Sequence, residues 1–538
     1  MAASTSSPAR KILLFTNTEY GQANVVLATA HALMHLAPDT EIHIGSFTDL
    51  EFAVRATSEY AIKTSTSVKP KPIVFHEIRG VSRHEAADRP SLGLTNAMDL
   101  PPTLSGSAHN IAMIPAIMQP YENEEFAVNY REVERVLGEV GPDVTAVDPL
   151  FTPALTLCHH KKVNWLVLAP NTVKDFVVPL QPHLAMLWKY PLVCSALPFP
   201  LPWYHIPRNI LLNLVAGYAL LADSRLRSTS AFIRDNIGSD VELLTANELG
   251  VLRAPPKGLR ILTANSPEID YPFAYIPGYV VPCGPIVRAA PAVTDVDPEL
   301  HAWLRRGPTV YIALGTHVEY DVAEALEMAH ALRELLDYAA GAGAGASGKT
   351  TEPGGSETEP EAAPGPLQVL WKMARKKVPG DLFDPHERAG PFPALRDVLG
   401  PEMDADRVRI TDWVTAEPKA VLETGGVVCS VNHGGASSFH EALCAGVPQV
   451  VLPPWADCFD FANRAELLGI GRWANKKAKP RWSRAELGAA LIEVVYGPRS
   501  ADMRARAKTL ATKFPEGEGR NRAAREILDV ATATAVKQ

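Results

Sequence analysis

The chain has 538 residues, of which 46% are hydrophobic and 21% charged, and a formal net charge of -8. That length exceeds what one hydrophobic core supports and predicts two sizeable domains. The acidic balance and lack of a basic block exclude electrostatically driven nucleic-acid binding, and no run reaches the roughly 18–20 apolar residues needed to span a bilayer. The first ten residues hold no apolar stretch of the kind a secretory leader uses, so the expected location is cytoplasmic. The six cysteines (Cys158, Cys194, Cys283, Cys429, Cys444 and Cys458) form no Cys-x-x-Cys pair and read as buried thiols of a reducing compartment.

In chain order, residues 11–15 predict a first strand, residues 17–24 a polar turn and residues 25–36 a helix with an apolar face, which together open a parallel α/β domain. Further strands are expected at 40–45, 142–148 and 165–169. The adjacent His159 and His160 lack a third ligand and read as a surface pair at a helix end. Residues 170–225, rich in proline and bulky apolar groups, interrupt the alternation and read as an acceptor-binding region. Within them, 210–222 predicts a helix lining an apolar pocket or core, because it lacks the lysine-rich polar face of a membrane-surface helix. Residues 285–308 read as an interdomain linker, and alternation resumes at Thr309.

Residues 340–366 are low-complexity and are expected to form a disordered insertion. They contain GAGASGKT at 343–350, a match to the phosphate-loop pattern. A working phosphate loop needs a strand before it and a helix after it; here a helix-like stretch precedes and Glu-Pro-Gly-Gly follows, so the match is set aside.

The most informative segment is HGGASSFHE at 433–441, set between apolar runs at 426–431 and 447–452. This is a βαβ unit with a glycine-rich first turn. Gly434 and Gly435 allow close backbone approach, Ser437 and Ser438 offer hydroxyls, and the helix start offers free N–H groups and positive dipole. With His433 at the edge, these groups make a diphosphate cradle. A plainer reading makes Ser438 and Glu441 a capping box and Gly446 a helix terminator, but it leaves the paired glycines and the histidine unexplained.

The pattern continues through Gly446-Val-Pro, Trp455-x-Asp457 and FANRAELLGIG at 461–471. It resembles the donor-binding signature of the UDP-glycosyltransferase family, its tail nearest the sterol and macrolide branch. Segments 261–266, 281–285, 310–316, 370–372 and 408–414 resemble strands of the same family. The resemblance implies an α/β GT-B architecture, with two Rossmann-like domains facing across a cleft. Residues 1–290 would bind the acceptor, 291–307 would link, 308–498 would bind the nucleotide sugar, and a helix within 499–538 would return to the first domain. The implied reaction is inverting transfer of a hexose, glucose by default, from a UDP-sugar to a lipophilic small molecule such as a phenol, sterol or polyketide-like metabolite. No metal or other cofactor is implied, and peripheral contact with a membrane stays open. The rival readings are an epimerase or phosphorylase of the same architecture and a UDP-sugar-binding protein without catalysis.

By the same resemblance, Trp413 would stack on uracil with Val414 at the base edge. Glu441 would accept the ribose hydroxyls. Thr316, His433, Gly435, Ser437 and Ser438 would hold the diphosphate, Trp455, Asp457 and Cys458 would face the sugar, and Gly21 of the first loop would also belong to the donor site. Three positions depart from the family. Cys458 stands where glutamine is usual, Thr415 and Ala416 replace Pro-Gln, and Gly21-Gln22 replaces a Gly-His whose histidine deprotonates the acceptor. Glutamine takes no proton, and Asp148, matching the aspartate that orients that histidine, is left without it. Four explanations are open: Glu19 or Asp148 as base, another histidine such as His109, an acceptor acidic enough to need only positioning, or binding without catalysis.

Overall fold

The computed structural model describes residues 10–66, 68–94, 99–251, 253–316, 318–346, 365–376 and 392–535. Contacts divide the chain into two units, residues 1–289 with 514–538, and residues 290–513.

The first unit is built on seven parallel strands: β1 Lys11–Phe15, β2 Glu41–Ser46, β3 Val74–Glu77, β4 Val144–Val147, β5 Trp165–Ala169, β6 Ile261–Thr263 and β7 Val280–Pro282. Their order across the sheet is β3-β2-β1-β4-β5-β6-β7. Alternate residues of β1 serve opposite faces. Ile12 and Leu14 pack with the helices Tyr20–Leu36 and Glu518–Ala535. Leu13 and Phe15 pack with Asn123–Val140 and Thr152–His160. Burial on both faces is why these strands read as continuous apolar runs. The segment returning to this unit begins at residue 514; the Ser500–Ala511 helix stays with the second unit.

Of the two expectations for the Ile206–Ala222 helix, an apolar pocket wall or a core element, the second does not hold. It buries only Asn209 and Leu212, while Leu214, Tyr218 and Leu221 are 65%, 76% and 70% exposed. Its inner face is held by polar contacts, which apolar periodicity does not report. His160 ends the Thr152–His160 helix, where it meets the Tyr130 hydroxyl at 2.7 Å and Asp240 at 3.3 Å.

The second unit holds β8 Thr309–Ala313, β10 Gln368–Lys372, β12 Val408–Thr411, β13 Val427–Asn432, β14 Gln449–Val451 and β15 Gly471–Trp473. They form a parallel sheet ordered β12-β10-β8-β13-β14-β15, with β9 Glu319–Tyr320 and β11 Ala374–Arg375 paired apart from it. The expected linker is packed structure. Its short helices Val293–Val296 and Pro298–Leu304 bury Trp303 completely, and the Trp303 indole donates to the Asp406 carbonyl at 2.7 Å. The helix Val322–Ala346 runs into the low-complexity tract, because alanines there extend a helix already nucleated. Residues 347–364, with the end of the phosphate-loop match, lie outside the described residues.

In each sheet the strand order reverses beside the unit's first strand: β1 next to β4 in one, β8 next to β13 in the other. Open parallel sheets bind ligands at the carboxyl ends of strands at such a switch point.

Candidate active site

In the second unit, β8 pairs with β13 so that Ala313 lies opposite Asn432. The loops that follow, Gly315-Thr316 and His433-Gly434-Gly435, therefore start side by side. Gly315 has φ +80°, and a Cβ there would fall 2.7 Å from His433 Cε1. A Cβ on Gly435 would collide with the same ring. The imidazole thus fits between two glycines from different loops. Gly434, at φ +79°, leaves room for the Cys458 carbonyl oxygen, which a Cβ would meet at 2.8 Å. That contact brings in the loop after β14.

A buried amide pair fixes this turn, and sequence reasoning missed it. Asn432 Oδ1 accepts the Gly434 N–H at 2.9 Å, and its Nδ2 donates to Gln449 Oε1 at 3.0 Å. Gln449 Nε2 donates to the Phe439 carbonyl at 3.2 Å. The available signal was two amide side chains in otherwise apolar strands.

The helix Ala436–Cys444 has Gly435 as its N-cap and no side-chain cap. The capping-box reading fails, because Gly435 already adopts the extended cap conformation and Ser438 falls at the third helical position. A glycine cap supplies no side-chain oxygen to the first-turn N–H groups. At the other end, Gly446 at φ +68° closes the helix, with the Val447 N–H donating to Ala442 at 2.9 Å. Glu441, one turn on, lies close enough to Tyr311 of β8 to help raise that phenol, although burial is the larger cause.

Trp413 follows β12 and is 53% exposed, which excludes a core-filling role. One indole face is covered by Lys372 at the end of β10, with Nζ 4.3 Å from the ring centroid. Burial lowers the Lys372 pKa, partly countered by Glu417 and Asp412. The Thr411 hydroxyl donates to the Trp413 carbonyl at 2.8 Å and accepts its N–H at 3.3 Å. Val414 packs on the core, Thr415 is exposed and Ala416 is buried. After β14, Trp455 is half-buried, Ala456 is left-handed at φ +42°, Asp457 is exposed and Cys458 is buried. Asn475 steadies this loop by donating to the Pro453 carbonyl at 3.2 Å.

In the first unit, the Tyr20–Leu36 helix starts earlier than its apolar pattern suggested, with Glu19 as N-cap. Gly21 and Gln22 therefore sit in its first turn. Gln22 Oε1 is buried without a hydrogen-bond partner among the described residues. Asp148, just after β4, is 1% exposed. Its Oδ1 accepts the Leu150 N–H at 2.8 Å; its Oδ2 accepts Asn17 Nδ2 at 3.1 Å, the Asn17 N–H at 3.3 Å and the Thr16 hydroxyl at 3.4 Å. Burial pushes its pKa up to about 6, against those backbone donors.

Glu19 is held by a largely buried ion pair. Its Oε1 is paired with Arg83 Nη1 at a site where both side chains are 12% exposed, and Arg83 Nη2 donates to the Ile117 carbonyl at 3.1 Å. Burial disfavours the guanidinium, but the Glu19 charge and hydrogen bond outweigh it. The buried Tyr121, its phenol raised by burial, lies within electrostatic reach of Arg83, Glu19 and Asp148. Sequence reasoning missed Arg83 and Tyr121. The available signal was the Ser82-x-x-Glu85 capping pattern, which marks the start of the short Arg83–Ala87 helix but not what Arg83 meets. His109 is exposed, near the end of the helix Leu104–Ala112. No group of three or more His, Cys, Asp or Glu placed to hold a metal occurs among the described residues.

Residues 401–516 match the family model "Erythromycin biosynthesis protein CIII-like, C-terminal domain". The chain is 32% identical over 519 residues to glycosyltransferase sdnJ of Sordaria araneosa, covering 91% of each. Among solved structures, the glycotransferase of kitacinnamycin superposes with TM-score 0.58 at 16% identity, over 98% of this chain and 100% of that one. A UDP-glucose:anthocyanidin 3-O-glucosyltransferase in complex with UDP superposes with TM-score 0.55 at 14% identity, over the same shares. Both carry the GT-B arrangement of two parallel-sheet α/β units.

Proposed function

This chain belongs to the family 1 UDP-glycosyltransferases, and from that premise we propose that it transfers a hexose, glucose by default, from UDP to a lipophilic small-molecule hydroxyl with inversion. The observation that carries the donor half is the imidazole of His433 held between Gly315 and Gly435 beside a helix N-terminus without a side-chain cap. Backbone N–H groups and a dipole aimed there would meet the charge that develops on a departing diphosphate, so the chemistry needs no metal. Thr316, Ser437 and Ser438 would add hydroxyl donors, Glu441 would accept the ribose hydroxyls, and the free face of Trp413 would stack on the base. Trp455, Asp457 and Cys458 would line the sugar. The buried Cys458 thiol is a weak hydrogen-bonding group, which favours a sugar that makes few polar contacts at that point.

Proton removal from the acceptor falls to Glu19 in this reading. Asp148 is sealed, with both oxygens engaged, whereas Glu19 keeps Oε2 without a hydrogen-bond partner among the described residues. Arg83 would orient Glu19, and Asp148 would hold the loop through Asn17. A carboxylate is a weak base for an alcohol and a better match for a phenol, so turnover should rise as acceptor pKa falls. A cytoplasmic location fits this reading, and among the described residues no helix is long and apolar enough to cross a membrane.

The test is incubation of the full chain with UDP-sugars and a panel of phenols and sterols, reading UDP release and product mass. Acceptor conjugates with UDP release support the proposal. A changed UDP-sugar without a conjugate would indicate an epimerase, and bound but unconsumed donor a binding protein. Glu441→Ala should weaken UDP binding by about 1–3 kcal/mol while the fold survives.

A further inference from the structure

The Ile206–Ala222 helix carries its most exposed apolar residues on its outer face. Its inner face buries Leu212 and is anchored by polar contacts. Asn209 accepts the Leu192 N–H at 3.0 Å and donates to the carbonyls of Tyr190 at 2.9 Å and Leu187 at 3.0 Å. Arg208 donates to the Pro102 carbonyl at 2.8 Å and the Ser107 hydroxyl at 3.2 Å. The outer face is apolar. Leu211, Leu214, Tyr218 and Leu221 recur at intervals of three and four residues, so with Pro207 they fall within about 80° of the helix circumference. All are exposed, and Trp203 and Tyr204, just before the helix, are 79% and 61% exposed. A water-facing helix shows the opposite pattern, and an apolar patch of this kind marks an interaction surface.

The charge around the stripe selects its partner. Between Asp175 and Asp223 the chain has no Asp or Glu, although it carries 60 elsewhere and nearby. Lys189 lies inside that interval and the exposed Arg227 opens the next helix, whereas Arg208 turns inward and Arg225 is paired with Glu122. Against a second copy of the chain, this face would set Lys189 and Arg227 against their own copies with few carboxylates to meet them. Against a bilayer the same features fit together. Leucines enter the acyl boundary, tyrosine and tryptophan sit at the headgroup level with their polar atoms wet, and cations meet anionic lipid.

We propose that the Trp203–Ala222 segment is a peripheral docking surface for anionic lipid bilayers, with the helix lying in the interface plane. The surface stands whatever the acceptor proves to be. The full chain should float with vesicles of phosphatidylcholine mixed with phosphatidylserine, and less with phosphatidylcholine alone. The Trp203 emission should shift to the blue on binding, a change absent in Trp203→Phe. Leu214→Glu with Tyr218→Glu should lower vesicle partitioning about tenfold or more and leave the thermal midpoint near that of the wild type, since both side chains are exposed. If that pair destabilises the fold, Leu214→Ser with Tyr218→Ser carries the same test. Wild-type protein that stays unbound with both vesicle types overturns the proposal, as does binding that the substitutions leave intact. A wild-type dimer that the substitutions make monomeric, without lipid binding, assigns the stripe to self-association instead.

Discussion

Glu19 shares one carboxylate oxygen with the Arg83 guanidinium, so any change there acts on stability as well as on chemistry. Glu19→Gln leaves a buried guanidinium without its counter-charge and should cost about 3 kcal/mol. Adding Arg83→Met should restore most of that stability without restoring turnover, as urea unfolding and initial rates on a phenol would show; recovery of both would reduce the pair to a structural role. Asp148 makes a separate prediction through pH. Its folded pKa of about 6 is raised from 3.8, so its contribution to stability is complete below about pH 4 and is lost as pH rises through 6. The stability of the wild type relative to Asp148→Asn should therefore fall by about 2–3 kcal/mol between pH 4 and pH 7. Parallel unfolding curves for the two proteins across that window would contradict it. Lys372→Met keeps the aliphatic stem beneath Trp413 and removes the cation. It should raise the donor KM roughly fivefold with little change in kcat, in line with about 1 kcal/mol for a cation–π contact. The partners of these candidate residues were not legible in the sequence, because Arg83 and Lys372 reach Glu19 and Trp413 only through tertiary packing.

At the scale of elements, the β13 turn and its helix were legible because strand, glycine pair and helix are contiguous, and local pattern governs all three. The helix start was misread because a glycine N-cap leaves no side-chain signature. The packing of segment 291–307 and the outward face of the Ile206–Ala222 helix were not legible for a related reason, since burial there is set by partners distant in sequence, such as Asp406 for Trp303. The two turn glycines should behave differently. Gly434→Ala places a side chain in left-handed backbone against the Cys458 carbonyl and should destabilise by about 1–3 kcal/mol. Gly435→Ala has no such backbone strain but displaces the His433 ring, so UDP affinity should fall more than the thermal midpoint. Thermal unfolding and calorimetry of both variants check the order.

For the whole molecule, the two-unit α/β architecture followed from chain length and from alternating apolar runs. The shared strand order explains why candidate residues gather at the loops after β1 and β4 in one unit and after β8 and β13 in the other. What stayed hidden was the point of return to the first unit, since the helices Ser500–Ala511 and Glu518–Ala535 look alike in sequence yet join different units. The central claim is that UDP is held by the loops of the second unit that surround His433. Hydrogen–deuterium exchange of the full chain with and without UDP tests it most directly. Slowed exchange at residues 314–316, 411–417 and 433–438 is the predicted result. Protection confined to the tract around 343–350, or no protection at the His433 turn, would contradict it.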